Sequence, residues 1–127
     1  MSDCQRPLSP HLSIYKPQLT SMLSILHRFT GVGLFVGSFL LAGWFIALAL
    51  GGEAYQEVMT FLESLVGQVL LSGWVFAFYY HFCNGLRHFY WDIGRGFDLE
   101  TTYKTGWIVL GTSIFLTFLT VGFMVWR

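Results

Sequence analysis

The sequence predicts an all-α integral membrane protein with three transmembrane helices. Apolar residues make up 54% of the 127 residues and charged residues only 11%, whereas a water-soluble domain has about 25% charged residues. Charged side chains are also absent from three long windows, at 29–52, 64–86 and 105–126. Each window exceeds the roughly 20 apolar residues with which a helix crosses a hydrocarbon core.

The chain is expected to divide into a short arm and a membrane-anchor domain. Residues 1–20 contain all three prolines, and proline disfavours a regular helix, so we predict an N-terminal surface arm there. The membrane-anchor domain follows at 21–127. Its helices are predicted at about 22–51, 60–90 and 104–126 from the uncharged windows.

Local signals mark the ends and the packing of these helices. Thr20 or Ser21 is expected to cap the first helix, and Thr60 or Ser64 the second, because their hydroxyls accept hydrogen bonds from free backbone N–H groups. The stretch GLFVG at 33–37 has the GxxxG spacing that lets a neighbouring helix approach closely. We therefore predict close packing of the first helix at these glycines.

The charges that flank the helices predict the orientation in the membrane. The loop between the first two helices carries Glu53, Glu57 and Glu63 but no Lys or Arg. Six of the seven Lys and Arg residues lie on the other side, at Arg6, Lys16, Arg28, Arg87, Arg95 and Lys104, and only the C-terminal Arg127 is expected on the side of the acidic loop. The positive-inside rule then places the N-terminus and the second loop in the cytoplasm or matrix. The start of the chain lacks a signal or transit pattern, which favours a bacterial inner (cytoplasmic) membrane over a mitochondrial inner membrane.

The sequence lacks the motifs of the common enzyme classes. It has no phosphate-binding glycine loop, no HExxH and no nucleophile beside a base. Cys4 and Cys83 are far apart in the chain and in expected depth, so we predict two reduced structural thiols rather than a disulfide. Any chemistry is left to histidines, arginines or a bound cofactor, and no nucleic-acid partner is expected.

The stretch HFCNGLRHFYWDIG places two histidines at the end of an apolar window. His81 precedes the membrane boundary at Trp91 by about ten residues, a depth of about 15 Å. His88 shares its helical face, with Gly85 between them. This face suits a flat macrocycle bound through its metal by His81, with propionates directed toward His88. The alternatives are an interhelical hydrogen bond for His81 and a headgroup contact for His88.

A second group of polar residues lies in SILHRFTG, residues 24–31. Ser24 and Arg28 are four residues apart and share a face, whereas His27 is turned about 100° from Arg28. A hydroxyl and a guanidinium suit a quinone carbonyl, whose oxygen gains negative charge on reduction. The alternative for Arg28 is an anchor to lipid phosphate.

Three motifs together resemble one known family. They are RPLSPHLSIY at 6–15, SxxHRxTG at 24–31 and HxxxGLRHFxWDxG at 81–94. In this order they are similar to the large cytochrome b (b556) membrane-anchor subunit of succinate dehydrogenase, respiratory complex II. The likeness covers the arm, the first two helices and the following loop, and the third helix is generic.

The resemblance implies specific roles for the site residues. His81 would be an axial ligand of the iron of haem b, opposite a histidine of a second, smaller anchor subunit, so that this chain is half of a haem-binding helix bundle. Ser24 and Arg28 would line the ubiquinone site, and His27 and Arg28 would lie near the haem propionates. His88 is added to the propionate region from its geometry, and Asp92 is expected to be structural, as a cap or as a partner of an arginine.

The resemblance also implies the partners and the reaction. In such a complex FAD and the iron–sulfur clusters belong to a flavoprotein subunit and an iron–sulfur subunit. Electrons from succinate pass through the clusters to ubiquinone, which links the tricarboxylic acid cycle to electron transport. The anchor would dock the iron–sulfur subunit and contact membrane lipid, and it would have no dehydrogenase activity alone.

Other functions fit the same residues. An anchor of a quinol:fumarate reductase would have the same architecture and work in the opposite direction. A haemless structural scaffold would use His81 for packing. A small transporter is disfavoured, because three helices with one deep polar cluster give no continuous pathway of ionisable residues.

Overall fold

The computed structural model describes residues 16–126, so most of the predicted surface arm lies outside the described residues. Four helices follow in order, α1 (Leu19–Leu50), α2 (Gly52–Glu63), α3 (Leu65–Asp92) and α4 (Leu99–Trp126). Among them, α1, α3 and the Leu99–Met124 part of α4 are long and apolar enough to cross a membrane. The all-α fold with three candidate membrane spans is confirmed.

The region of the first predicted loop forms a helix instead. The helix predicted at about 60–90 is divided at Ser64, where α2 ends and α3 begins. The Ser64 hydroxyl accepts a hydrogen bond from the Gly67 N–H at 3.1 Å, which confirms Ser64 as the cap and places Thr60 inside α2. Gly67 packs against the Phe61 carbonyl and the Leu62 backbone, where a side chain would collide. This tight turn brings α2 back against α1 and α3.

The first helix begins earlier than its predicted caps. Gln18 precedes α1 in an extended conformation, and its carbonyl accepts the Met22 N–H at 3.0 Å. No side chain caps this end of the helix. The prediction that Thr20 or Ser21 caps α1 is therefore wrong, because the backbone closes the first turn on Gln18 itself.

A glycine-containing loop joins α3 to α4. Gly94 and Gly96 adopt φ angles of 78° and 76°, in the left-handed region that glycine tolerates best. The Asp98 carboxylate then caps α4 by accepting the Thr101 N–H at 2.8 Å. Hydrogen bonds from the Thr101 side chain and backbone lower the pKa of the Asp98 carboxyl below its ordinary value. The carboxylate is thus held in the charged form that favours a helix N-terminus.

The third helix lies at the centre of the bundle, with α1 and α4 packed against it. Its buried apolar core is small, formed by Leu23, Tyr80 and Val109 with partly buried neighbours. Most large apolar side chains are exposed on the isolated chain. Because the outer faces of membrane helices contact lipid or other subunits, a small internal core is expected for a three-helix anchor.

Close packing of α1 involves only one of the two predicted glycines. Gly37 is buried, and the Trp74 indole of α3 occupies the space that a side chain would need. Gly33 faces open space. The GxxxG stretch therefore accommodates an aromatic side chain at Gly37 and does not bring two helix backbones together.

The two ends of the bundle differ in charge. The start of α1, the end of α3 and the start of α4 form one end, which we call the basic end. It carries all five described cations, Lys16, Arg28, Arg87, Arg95 and Lys104, against three acidic residues, Asp92, Asp98 and Glu100. At the other end, the acidic end, α2 carries Glu53, Glu57 and Glu63.

Candidate functional site

The imidazole of His81 is held between α3 and α1 through one of its nitrogens. Its Nδ1 atom lies 3.1 Å from the His27 carbonyl oxygen and 3.3 Å from the Thr30 hydroxyl. Because a carbonyl oxygen only accepts, this hydrogen bond assigns the ring proton to Nδ1. The Nε2 atom then has a free lone pair, and it makes no hydrogen bond to any residue in 16–126.

The structure brings the three predicted histidines of 16–126 together. The His27 ring stacks on the His81 ring, with centroids 3.9 Å apart and planes 10° from parallel. The His88 ring lies 5.2 Å from the His27 ring on the side of the basic end, and packs edge-on against Trp91 at 5.1 Å. The Nδ1 atom of His27 is buried without a hydrogen-bond partner in the described part of the chain. We call His27, His81 and His88 the histidine cluster.

The surface beside the histidine cluster fits a flat apolar group. A methyl group at Gly85 would meet nothing within 4 Å. The exposed rings of Phe78, Phe82 and Phe89 lie on the same side of α3. A metal ion alone is not favoured, because the described residues contain no group of three His, Cys, Asp or Glu side chains arranged to hold one.

A macrocycle that carries its own metal needs only an axial nitrogen, an apolar wall and cations for its carboxylates. The residues present fit such a group: Nε2 of His81 could serve as the axial nitrogen, the exposed phenylalanine rings as the wall, and Arg28 as a cation at the basic end. Two surface concavities of the described chain lie along α4, and neither is lined by a histidine.

The two residues predicted to contact a quinone are both accessible. Ser24 and Arg28 are exposed on one face of α1, one helical turn apart. Neither side chain makes a hydrogen bond or an ion pair with any residue of 16–126. His27 lies between them in sequence, so these side chains and the histidine cluster share the first turns of α1.

Sequence reasoning missed the role of Arg87. It counted Arg87 as an interfacial cation and as a possible partner of Asp92, but the side chain is only 6% exposed. Its guanidinium donates to the Thr105 hydroxyl at 3.1 Å and to the Thr102 carbonyl at 2.9 Å. It also lies 4.1 Å from the centre of the Trp91 ring. Arg87 therefore joins α3 to α4.

The proposed pairing of Asp92 is wrong for the described chain. Within 16–126 the single ion pair joins Lys104 and Glu100 on the surface of α4. Asp92 is exposed at the end of α3, one turn beyond the buried guanidinium of Arg87. The two neutral acceptors on α4 satisfy Arg87 without a carboxylate.

A polar stripe on α3 could have revealed these buried residues. Tyr80, Asn84 and Arg87 are spaced by four and three residues, which places them on one helical face. All three are buried, and the Tyr80 hydroxyl donates to the Leu23 carbonyl of α1 at 2.7 Å. The Asn84 amide oxygen is buried without a partner among the described residues. Helical spacing of polar residues in an apolar window was the available signal.

Comparison with known proteins agrees with this architecture. Residues 2–120 match the family described as succinate dehydrogenase/fumarate reductase transmembrane subunit. A succinate dehydrogenase cytochrome b556 subunit from Rickettsia felis is 46% identical over 115 residues, which cover 91% of this chain and 90% of the relative. The corresponding subunit of Paracoccus denitrificans is 34% identical, over 91% of this chain and 89% of the relative.

A relative with a different cytochrome name also matches. A succinate dehydrogenase cytochrome b560 subunit from Reclinomonas americana is 38% identical over 117 residues, 88% of this chain and 81% of the relative. The similarity thus extends over most of the length of these proteins, and the family match at 2–120 spans the positions of the histidine cluster. The chain belongs to the family of succinate dehydrogenase/fumarate reductase transmembrane subunits, as its sequence resemblance predicted.

Proposed function

We propose that this chain is the large membrane anchor of a succinate:ubiquinone oxidoreductase, in which it co-ligates haem b and forms part of the ubiquinone reduction site. The observation that carries the proposal is the hydrogen bond of His81 Nδ1 to the His27 carbonyl, which leaves Nε2 free. Metal-bound histidines commonly donate their other ring N–H to a carbonyl in this way. The cytochrome b names of the relatives support haem as the metal carrier.

His81 would ligate the haem iron from one side, and a histidine of a second, smaller anchor subunit would ligate it from the other. When bound, haem b supplies a one-electron carrier. Arg28, His27 and His88 would receive the propionates, and the support is that the two histidines lie close to His81 and that Arg28 follows His27 at the basic end. The unpartnered Nδ1 of His27 supports this role, since a buried polar atom needs a hydrogen bond.

Ser24 and Arg28 would bind one carbonyl of ubiquinone. The Ser24 hydroxyl would orient the oxygen by a hydrogen bond, and the Arg28 guanidinium would stabilise the negative charge that develops on it. Such a charge interaction is stronger in a site of low dielectric than in water. The support is that both side chains are exposed and without partners in the described chain.

The basic end would face the cytoplasm or matrix and dock the iron–sulfur subunit, which works with a flavoprotein subunit that holds FAD. Electrons would then reach ubiquinone beside Ser24 and Arg28 from the clusters of that subunit. The anchor would have no dehydrogenase activity alone. The concentration of described cations at this end and the positive-inside rule support the orientation. Rickettsia and Paracoccus relatives favour a bacterial inner membrane.

The family also contains fumarate reductase subunits, so the direction of catalysis is a separate question. The relatives named above are succinate dehydrogenase subunits, which favours succinate oxidation. The host's quinone distinguishes the two directions. A menaquinone pool without ubiquinone would contradict the proposed direction.

The proposal is tested on the complex purified through this chain in mild detergent. We expect a b-type α-band in the difference spectrum with succinate as reductant. His81→Ala should abolish that band also with dithionite, because the axial nitrogen is lost. Cys83→Ala, a half-buried position on the same helix, is the matched control and should keep it. Unchanged haem content in assembled His81→Ala complex would refute the ligand assignment, and an intact wild-type complex without any b-type band would favour the haemless structural scaffold.

A further inference from the structure

The Thr30 hydroxyl is buried at the contact between α1 and α3. Thr30 is 6% exposed, and its Oγ1 atom lies 2.9 Å from the Leu26 carbonyl and 2.9 Å from the His27 carbonyl. A hydroxyl has one proton, and carbonyl oxygens only accept, so that proton is donated within α1. The oxygen lone pairs are then left for the Nδ1–H of His81 at 3.3 Å.

Gly31 makes room for the same imidazole. A methyl group at position 31 would lie 3.0 Å from Cε1 of His81 and 3.5 Å from its Nδ1. The distance to Cε1 is shorter than an ordinary van der Waals contact, so the imidazole would have to move by a few tenths of an ångström. The ring edge therefore lies against the backbone of α1, and the absent side chain of Gly31 is what permits it. Gly33, two residues on, faces open space and makes no such contact.

The register between the two helices holds these contacts in place. The Tyr80 hydroxyl donates to the Leu23 carbonyl at 2.7 Å, one helical turn before the His27 carbonyl that accepts from His81. Two consecutive residues of α3 thus bond two consecutive turns of α1. Sliding of α1 along α3 would break both bonds, so the acceptors of His81 are fixed by the packing.

We propose that Thr30 and Gly31 are positioning residues, which act together with the His27 carbonyl to hold the tautomer and the rotation of His81 so that Nε2 is the nitrogen offered to the haem iron. This inference rests on the proposed function. Thr30 accepts from Nδ1–H, Gly31 admits the ring edge, and the stacked His27 ring covers one face. An acceptor at Nδ1–H makes the imidazole a more basic ligand, which favours ferric over ferrous iron.

The test compares Thr30→Val, which keeps the shape and loses the hydroxyl, with Thr30→Ser, which keeps the hydroxyl. Both are measured in the assembled complex by potentiometric titration of the b-type band and by electron paramagnetic resonance of the oxidised haem. We expect Thr30→Val to retain haem, to shift the midpoint potential to a more positive value and to alter the resonance positions. Thr30→Ser should restore both to the wild-type values. Wild-type potential and spectrum in Thr30→Val would overturn the role of the hydroxyl.

A second pair keeps the inference testable if Thr30→Val does not assemble. Gly31→Ala should rotate the imidazole and change the resonance positions, whereas Gly33→Ala on the same helix should not. Identical spectra for these two variants would overturn the role of Gly31. His81→Ala separates this inference from the function on which it rests. If His81→Ala keeps its haem, haem ligation by His81 is refuted. If His81→Ala loses its haem while the Thr30 and Gly31 variants keep the wild-type potential and spectrum, only the positioning role is refuted.

Discussion

The contact of α3 with α4 and the contact of α3 with α1 differ in how completely their polar groups are hydrogen-bonded. Against α4, Arg87 bonds Thr105 and Thr102, and the Tyr79 hydroxyl bonds Thr120 at 2.9 Å. Against α1, Tyr80 and His81 bond backbone carbonyls, but the Nδ1 atom of His27 and the indole N–H of Trp74 are buried without partners in the described chain. Polar groups within a membrane need partners. Those satisfied inside the chain act as scaffold, and those left over are open to a cofactor or another subunit.

The largest expected effect comes from the unpartnered side of α1. Arg28→Leu should lower succinate:quinone turnover about 100-fold, a typical result of removing one donor that stabilises a developing oxyanion. Ser24→Ala should act in the same direction. Oxidation of succinate by an artificial dye, which does not need the quinone site, is the internal control and should persist. Normal quinone turnover in the Arg28→Leu complex would contradict the quinone role of Arg28 and favour the alternative, an anchor to lipid phosphate.

A smaller effect is expected where the charge is satisfied within the chain. Arg87→Met keeps the length of the side chain and removes both hydrogen bonds to α4, and it should destabilise the anchor by about 2 kcal/mol. Part of the loss is offset because a buried charge is also removed. The measurement is the temperature at which the purified complex loses its subunits, compared with that of Arg95→Met at an exposed loop arginine. Equal temperatures for the two variants would contradict the scaffold role.

The smallest effect is expected at the neutral hydrogen bond between α3 and α4. Tyr79→Phe removes the contact to Thr120 and should cost about 0.6 kcal/mol, near the average of interhelical hydrogen bonds in membranes. Tyr103→Phe, on an exposed ring of α4, is the control and should cost less. Thermal loss of subunits again provides the measurement. If Tyr79→Phe lowered this temperature as much as Arg87→Met, the expectation that the charged contact contributes more stability than the neutral one would be wrong.

The membrane helices were predictable because lipid imposes a rule on sequence. A segment that crosses the hydrocarbon core must be long, apolar and almost free of charge, and each of the three windows shows this directly. The acidic α2 helix was not predictable from the same rule. Its twelve residues contain charges and, except for Gly52, lie outside the windows. Only the sharp turn at Ser64 and Gly67 shows that they fold back onto the bundle.

The candidate site was likewise predictable from the sequence only in part. The motifs singled out His81, His27, His88, Ser24 and Arg28, because ionisable side chains in an apolar chain are rare enough to be informative. The motifs did not show that the guanidinium of Arg87 is hydrogen-bonded by α4, since a residue type does not reveal its partner. They also did not distinguish Gly37, which accommodates an indole, from Gly33, which faces open space.

The sequence by itself determined that this chain has three segments long and apolar enough to cross a membrane and to which family it belongs, since hydropathy and ordered motifs are properties of the chain alone. The tertiary structure decided which nitrogen of His81 is held and which is free, because that depends on a carbonyl 54 residues away in the chain. It also decided which buried polar groups are satisfied internally. Both depend on hydrogen bonds between helices, and these bonds form only when α1 and α4 pack on α3.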